Sequence, residues 1–330
     1  MIGAGYWGPN LIRNFSLLPD AVVTAVADEK EDRRKFIGLR FPTVKLFADA
    51  REMVTWNEVD AVVIATPVHT HFPLAKAAME AGKHVLLEKP MCGSVDECDQ
   101  LIELAGKCGV TLMVDHTFIY TGAVRKIREL VNGGELGEIL YFDSVRVNLG
   151  LFQHDVNVLW DLAPHDVSIM DSVITDKAVA VAALGRSHFG TRVENIAYMT
   201  VTFANGAIAH FHANWLAPVK VRTTLIGGSK KMIVYDDTEP SEKVKIYDKG
   251  VDVAQDVEHV RRTLVQYRTG DMWAPKLDDT EALYLVAKEY VSSIREKRAP
   301  QSDGASGRRV VAILEAANRS LQSDGRLIPL

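Results

Sequence analysis

Three places in the sequence combine residue types that can do chemistry. The chain opens Met1-Ile2-Gly3-Ala4-Gly5-Tyr6-Trp7-Gly8, a Gly-x-Gly-x-x-Gly run that leads into a helical pattern. In such a run the first glycine permits a tight turn. The second lets backbone approach a pyrophosphate, and the third lets helix and strand pack closely. The phosphates then sit at a helix N-terminus, where free N–H groups and the dipole favour anions. Asp28 closes the next apolar run, twenty residues after Gly8. An acid there accepts hydrogen bonds from an adenosine ribose. Its charge also repels a 2′-phosphate, which favours NAD over NADP, while nearby Arg33 and Arg34 soften that preference and leave NADP open. The competing reading is an ordinary glycine turn with a solvated aspartate. The βαβ series that follows disfavours it.

The second place is Glu88-Lys89-Pro90, directly after an apolar run. Carboxyl ends of parallel strands line the ligand crevice of a doubly wound sheet. A partly desolvated lysine beside a cationic nicotinamide can act in proton transfer. From the tripeptide alone, a surface lysine beside a turn proline fits equally. The third is Trp160-Asp161-Leu162-Ala163-Pro164-His165, read as the opening of a helix, where proline is tolerated in the first turn. Asp161 and His165 are four apart, so both project from one helical face. An acid and an imidazole so placed suit a substrate hydroxyl: one orients it and the other takes its proton. Asp161 as a helix cap and His165 as a packing histidine remain the plainer alternative.

Other reactive types read more simply. His69-x-His71 lacks a third ligand nearby and belongs to a cofactor loop. His210-x-His212 with Asn214 shares one face of an alternating strand and reads as a polar sheet face or subunit contact. No metal site is expected. Cys98 and Cys108 fall in a helical pattern as packing residues, and the three cysteines form no disulfide framework.

These residues need elements to hold them. Five short, β-branched apolar runs (Ala21–Ala27, Val44–Phe47, Val59–Ala65, His84–Leu87 and Val110–Val114) alternate with helical patterns at Pro9–Leu17, Glu31–Leu39, His71–Glu80 and Val95–Lys107. That is the pattern of βαβ units around a parallel sheet buried on both faces. Beyond it come a helix at Ile119–Val131, another at Asp161–Ile174, and long alternating stretches between Ile139 and Tyr235. Asn205-Gly206 between two of them is a strong hairpin signal. Two more helices, Asp279–Lys297 and Ala305–Leu321, close the chain. The expected fold is α/β plus α+β: a Rossmann domain over residues 1–115, then an α+β domain over residues 116–330 with a large open, mostly antiparallel sheet. Only Met1-Ile2 precede the first glycine, whereas a central strand needs about five residues. The opening therefore reads as a strand whose beginning is missing or mis-assigned, and an N-terminally extended chain is expected to be more stable.

In the 330 residues, 47% are hydrophobic and 25% charged, with a net charge of −5, so there is no global pull toward nucleic acid or anionic membrane. Neither a membrane-spanning run nor a secretory leader is visible, and a reduced, cytoplasmic protein is expected.

Taken in order and register, these motifs resemble the Gfo/Idh/MocA family of sugar and polyol oxidoreductases over nearly the whole chain. The resemblance rests on Gly3-Ala4-Gly5-Tyr6-Trp7-Gly8, Ala65-Thr66-Pro67 with His71, Glu88-Lys89-Pro90, Gly133-Gly134-Glu135-Leu136-Gly137-Glu138, and the Asp161…His165 pair. It implies that Lys89, Asp161 and His165 carry catalysis, with Thr66, His71 and Glu88 near the cofactor and Tyr6 and Trp7 in the glycine loop. It also implies a C-terminal sheet that joins homodimers or homotetramers. Pro164 and the clipped first strand depart from the family pattern. Tyr120, Asn148 and Asn157 are the candidates for substrate-hydroxyl contacts. The stretch Asp143–Asp166 is similar to members found with bacterial surface-polysaccharide genes, several of which oxidise carbon 3 of a nucleotide-linked amino sugar. A UDP-N-acetyl-hexosamine is therefore the expected substrate. A free sugar or inositol is the alternative substrate, and a non-catalytic NAD(P)-binding regulator is the alternative function.

Overall fold

A computed structural model describes residues 1–150, 153, 156–253 and 265–330. It divides into two compact units, Met1–Thr121 with Thr280–Glu315, and Gly122–Asp279 with Ala316–Leu330. In the first unit, strands β1 (Ala25–Ala27), β2 (Lys45–Phe47), β3 (Ala61–Ile64), β4 (His84–Glu88) and β5 (Leu112–Asp115) alternate with helices α1 (Gly8–Ser16), α2 (Glu31–Arg40), α3 (Ala50–Val54), α4 (His71–Glu80) and α5 (Val95–Cys108). The strand pairs β1–β2, β3–β4 and β4–β5 are parallel. Ile2 bridges in parallel to both Ala27 and Ile64. Its N–H bonds Val63 O at 2.8 Å, and Gly3 N–H bonds Ala27 O at 2.8 Å. A very short central strand thus joins the two halves of a doubly wound sheet. Residues of β1 and β5 are buried throughout, as continuous apolar runs require.

The second unit carries α6 (Gly122–Asn132), β6 (Ile139–Leu149), α7 (Val158–Val173), β7 (Ala178–Arg186), β8 (Ile196–Phe203), β9 (Ile208–Asn214), β10 (Leu216–Gly228), β11 (Met232–Asp236), β12 (Val244–Val253) and β13 (Val265–Trp273). With β14 (Ile328–Pro329) these form a nine-stranded sheet in the order β13-β12-β11-β10-β6-β9-β8-β7-β14. Among the described residues, its one parallel pair is β6–β9. Asn205-Gly206 makes the expected hairpin: Gly206 has φ +89° and Asn205 Oδ1 accepts from Ala207 N at 2.9 Å. Strands β12–β14, which the alternation does not show, extend the sheet at both edges. Along β6, Ser144 and Arg146 are buried on the face that α7 covers, while Asp143 and Val145 lie on the open face.

The two C-terminal helices, α8 (Ala282–Glu296) and α9 (Gly304–Leu321), do not follow the single boundary near residue 115. Residues Thr280–Glu315 group with the first unit, because the apolar side of α8 seals that core. Leu283, Val286, Ala287 and Tyr290 are buried, Tyr290 meets Phe15 edge to face at 6.2 Å, and its hydroxyl donates to Val62 O at 3.2 Å. Cys98 is buried, but Cys108, expected to pack, is exposed near the end of α5. Among the described residues no helix is long and apolar enough to cross a membrane.

Candidate active site

The glycine run does three different things. Gly3 has φ +91°, and a Cβ there would stand 2.5 Å from Ala65 O. A Cβ on Gly8 would stand 2.6 Å from Gly3 O, so this glycine lets α1 start against the turn. A Cβ on Gly5 meets nothing within 4 Å, which leaves its backbone open to approach. No side chain caps the N-terminus of α1, and Pro9 occupies its first turn. Asp28 ties the loop to the end of β1: Oδ2 accepts from Ala4 N at 2.7 Å and Oδ1 from Lys30 N at 2.9 Å. Arg34 does not reach past it, because Nη1 donates to Asp28 O at 2.7 Å and Glu29 O at 2.8 Å. Tyr6 is 83% exposed and Trp7 44%, their rings edge to face at 5.3 Å. An open glycine backbone, an uncapped helix end and an acid at the end of β1 fit a dinucleotide.

At the carboxyl ends of β3 and β4 the structure places Thr66, His71, Glu88 and Lys89 within one unit. Thr70 Oγ1 donates to Thr66 Oγ1 at 2.6 Å. His71 differs from expectation. It is 1% exposed, with Nε2 2.9 Å from Thr66 O and Nδ1 3.0 Å from Pro90 O. Burial lowers its pKa against those carbonyls, which raise it. With both nitrogens turned to main chain, His71 braces the loops after β3 and β4 instead of presenting an edge to a ligand. Glu88 Oε2 accepts from Lys89 N at 3.1 Å. Burial and the neighbouring Asp115 push the Glu88 carboxyl up to about 8.

In the second unit, Asn157 caps α7, its Oδ1 accepting from Trp160 N at 3.1 Å. The helix therefore begins earlier than the sequence suggests, and Pro164 lies inside it, not in its first turn. Without an N–H, Pro164 cannot bond the Trp160 carbonyl, which loosens the ladder beside Asp161 and His165. Both side chains are half-buried on successive turns. Asp161 Oδ2 accepts from the indole Nε1 of Trp215 at 2.9 Å. The next residue after His165, Asp166, makes a buried two-pronged pair with Arg146, Nε–Oδ2 and Nη2–Oδ1 both at 2.7 Å. Ser168 Oγ donates to the His165 carbonyl at 2.7 Å. The turn that carries Asp161 and His165 is thus clamped from β6 and from the residue that precedes β10.

Two of the three hydroxyl-contact candidates have other work. Asn157 Nδ2 donates to Asn318 Oδ1 at 2.9 Å and Glu194 Oε2 at 3.2 Å, so this residue is a buried cap. Tyr120 belongs to the first unit, is buried, and shares a 2.9 Å hydrogen bond with Ser302 Oγ. Asn148 is half-buried and, by alternation from Arg146, lies on the α7-covered face of β6. Among the described residues no cluster of His, Cys, Asp and Glu is placed to hold a metal ion. His210 and His212 stack with Tyr198 on the open sheet face, ring centroids 6.3 and 4.5 Å away. The sequence reading missed Trp215, Arg146, Asp166, Asp115 and His116. Arg146 alone left a trace, as a charge in an alternating strand whose inward face only the sheet register identifies.

Comparison with known proteins places the chain in a family. Residues 1–116 match the family model described as the oxidoreductase family, NAD-binding Rossmann fold, and residues 124–234 match the Gfo/Idh/MocA C-terminal domain. The chain belongs to the Gfo/Idh/MocA oxidoreductase family. An uncharacterised oxidoreductase of Bacillus subtilis (strain 168) is 30% identical over 219 residues, 63% of this chain and 64% of its own, so the chain spans just under two thirds of that relative. The UDP-N-acetylglucosamine 3-dehydrogenase of Acidithiobacillus ferrooxidans is 26% identical over 315 residues, 94% of this chain and 93% of that one. Its solved structure gives a TM-score of 0.81 at 25% identity, covering 97% of each chain. The myo-inositol 2-dehydrogenase of Thermotoga maritima is 22% identical over 333 residues, 98% and 95% of the two chains.

Proposed function

We propose that this oxidoreductase uses NAD to oxidise a secondary hydroxyl, at carbon 3, of a nucleotide-linked amino sugar of the UDP-N-acetyl-hexosamine type. The observation that carries the reading is the clamped turn of α7. Asp161 is fixed by Trp215, and His165 stands one turn away on a helix pinned through Asp166 to Arg146. That is a rigid acid–imidazole pair suited to one hydroxyl. His165 takes the hydroxyl proton, Asp161 positions the sugar and steadies the imidazole, and Lys89 polarises the oxygen or shares the proton. Bound NAD supplies the hydride acceptor. Gly3, Gly5 and Gly8 shape its phosphate site, and Asp28 receives the adenosine ribose. Tyr6, Trp7, Thr66 and Glu88 would flank the rest of it. Asn148 is the remaining candidate for a second sugar contact.

The substrate class is supported by the near-full-length similarity to the UDP-N-acetylglucosamine 3-dehydrogenase and by the stretch Asp143–Asp166, of which Leu151, Phe152, His154 and Asp155 lie outside the described residues. A free polyol is the second reading, favoured by the similarity to the inositol enzyme over 98% of this chain. We also propose that the 116–330 half binds substrate and joins copies of the chain into a homodimer or homotetramer. Its open sheet face exposes Leu184, Tyr198, Ile208 and Leu225, which suits such a contact. NADH formation, read by absorbance across UDP-sugars, free sugars and inositols, tests the substrate. Activity with UDP-N-acetyl-hexosamines is expected. Activity only with free polyols selects the second reading, and NAD binding without any turnover selects a regulator.

A further inference from the structure

Behind Lys89 the first unit buries more ionisable groups than the proposed reaction uses. The register of β4 and β5 pairs Glu88 with Asp115. Partners in adjacent parallel strands stand about 4.8 Å apart with side chains on the same face. Glu88 is 9% exposed and Asp115 1%. Their hydrogen-bond support comes from two neighbours: Thr117 bonds Asp115 through its main chain and through Oγ1, which donates to Oδ1 at 2.6 Å, and Lys89 N donates to Glu88 Oε2 at 3.1 Å. Asp115 Oδ2 and both ring nitrogens of the adjoining His116 are buried without a hydrogen-bond partner among the described residues. The other charged or titratable groups acting on this cluster are Lys89, Tyr120 on the following turn, and Arg309 on α9.

We propose that Asp115 and Glu88 form a carboxyl pair holding one proton between them beside Lys89, and that Lys89 exchanges protons with this pair during alcohol oxidation. The inference rests on the dehydrogenase reading above. Two carboxylates side by side in a dry setting cannot both ionise, and one lysine offsets only one of them. His116 supplies no second cation. Burial, Lys89 and Arg309 push it down to about 3, so it stays a neutral imidazole. Burial pushes Asp115 up to about 6, opposed by Thr117 and Lys89, while Glu88 stands near 8. Between those two steps the pair carries one proton and one negative charge. When Lys89 shares the hydroxyl proton with His165, that one proton reaches Lys89 Nζ as another leaves Nζ for the ionised carboxylate. The lysine keeps its charge, and the doubly protonated pair then releases a proton to water. Asp115 touches neither substrate nor cofactor in this scheme and acts on the reaction only through Lys89.

Infrared titration of the protonated-carboxyl band of the whole protein, without substrate, tests the pair. Wild type should show two steps, the upper near pH 8. Asp115→Asn should move the upper step down by about one pH unit or more, since the like charge is gone. Glu88→Gln should abolish it. Complete carboxyl ionisation at pH 7 in wild type, or an upper step that Asp115→Asn leaves in place, overturns the pair. With UDP-N-acetylglucosamine as probe, the limb of the kcat profile that coincides with the upper step should move with it in Asp115→Asn, while KM for NAD stays put. A limb that does not move overturns the link to Lys89. Absence of wild-type turnover despite NAD binding counts against the dehydrogenase reading alone, because the infrared result needs no substrate.

Discussion

The glycine loop and the turn of α7 that carries Asp161 and His165 solve the same problem, holding a short segment still, by opposite means. The loop is fixed by what its residues lack. Gly3 and Gly8 have no Cβ where Ala65 O and Gly3 O press in, and the geometry is set by backbone within a few residues. The turn of α7 is fixed by what distant residues add: an indole from Trp215 on Asp161, and a guanidinium from Arg146 on Asp166. One is a local device and the other is assembled from residues far apart in sequence. A local device should fail by strain when atoms are added, and an assembled one by orphaned polar groups when atoms are removed.

Arg146→Ala is the severest way to break the assembled side. It strands Asp166 as a buried, unpaired charge next to His165, and should cost about 3–5 kcal/mol in chemical denaturation. Replacing both partners with apolar residues of similar volume should recover most of that loss. A cost below about 1 kcal/mol would show that the clamp is not what holds the turn. Next come the groups proposed to react. His165→Ala and Lys89→Ala should each lower turnover roughly 100-fold, with NAD affinity near normal by fluorescence titration. Wild-type rates in both would refute their roles. Trp215→Phe is gentler: a smaller aromatic ring stays and the N–H to Asp161 goes. Loss of one hydrogen bond to a charged group is worth about 1.5–3 kcal/mol, so turnover should drop about tenfold or more. An unchanged rate would mean that Asp161 needs no fixing.

The same contrast explains what could be read from the amino acids alone. Glycine spacing, β-branched runs and the Asn205-Gly206 turn are contiguous, so the parallel sheet, its helices and the phosphate loop were visible before any coordinates. The Asp161–His165 spacing was visible too, but not its support, because Trp215 and Arg146 resemble any core aromatic and any strand charge until the sheet register is known. Misreadings have the same origin. His71, Asn157 and Tyr120 are polar residues near the right motifs, and only their partners show that they brace loops, cap a helix or fill a core. The domain boundary was incomplete because α8 returns to the first unit through tertiary packing, which leaves no mark at residue 115.

The finest test lies inside the glycine run, where two alanines should behave oppositely. Gly3→Ala places a methyl 2.5 Å from Ala65 O in a backbone of φ +91°, so strain and overlap add. About 1–3 kcal/mol of stability should be lost, and NAD binding with it. Gly5→Ala meets no protein atom within 4 Å. Stability should change by no more than about 0.5 kcal/mol, with any gain coming from a stiffer unfolded chain. NAD affinity should nonetheless fall, because the added methyl stands where backbone must approach the pyrophosphate. Thermal melts with and without NAD separate the two effects: Gly3→Ala lowers both curves, whereas Gly5→Ala lowers only the increment that NAD adds. If Gly5→Ala kept the full NAD increment, the dinucleotide would not lie against Gly5, and the open backbone there would need another occupant.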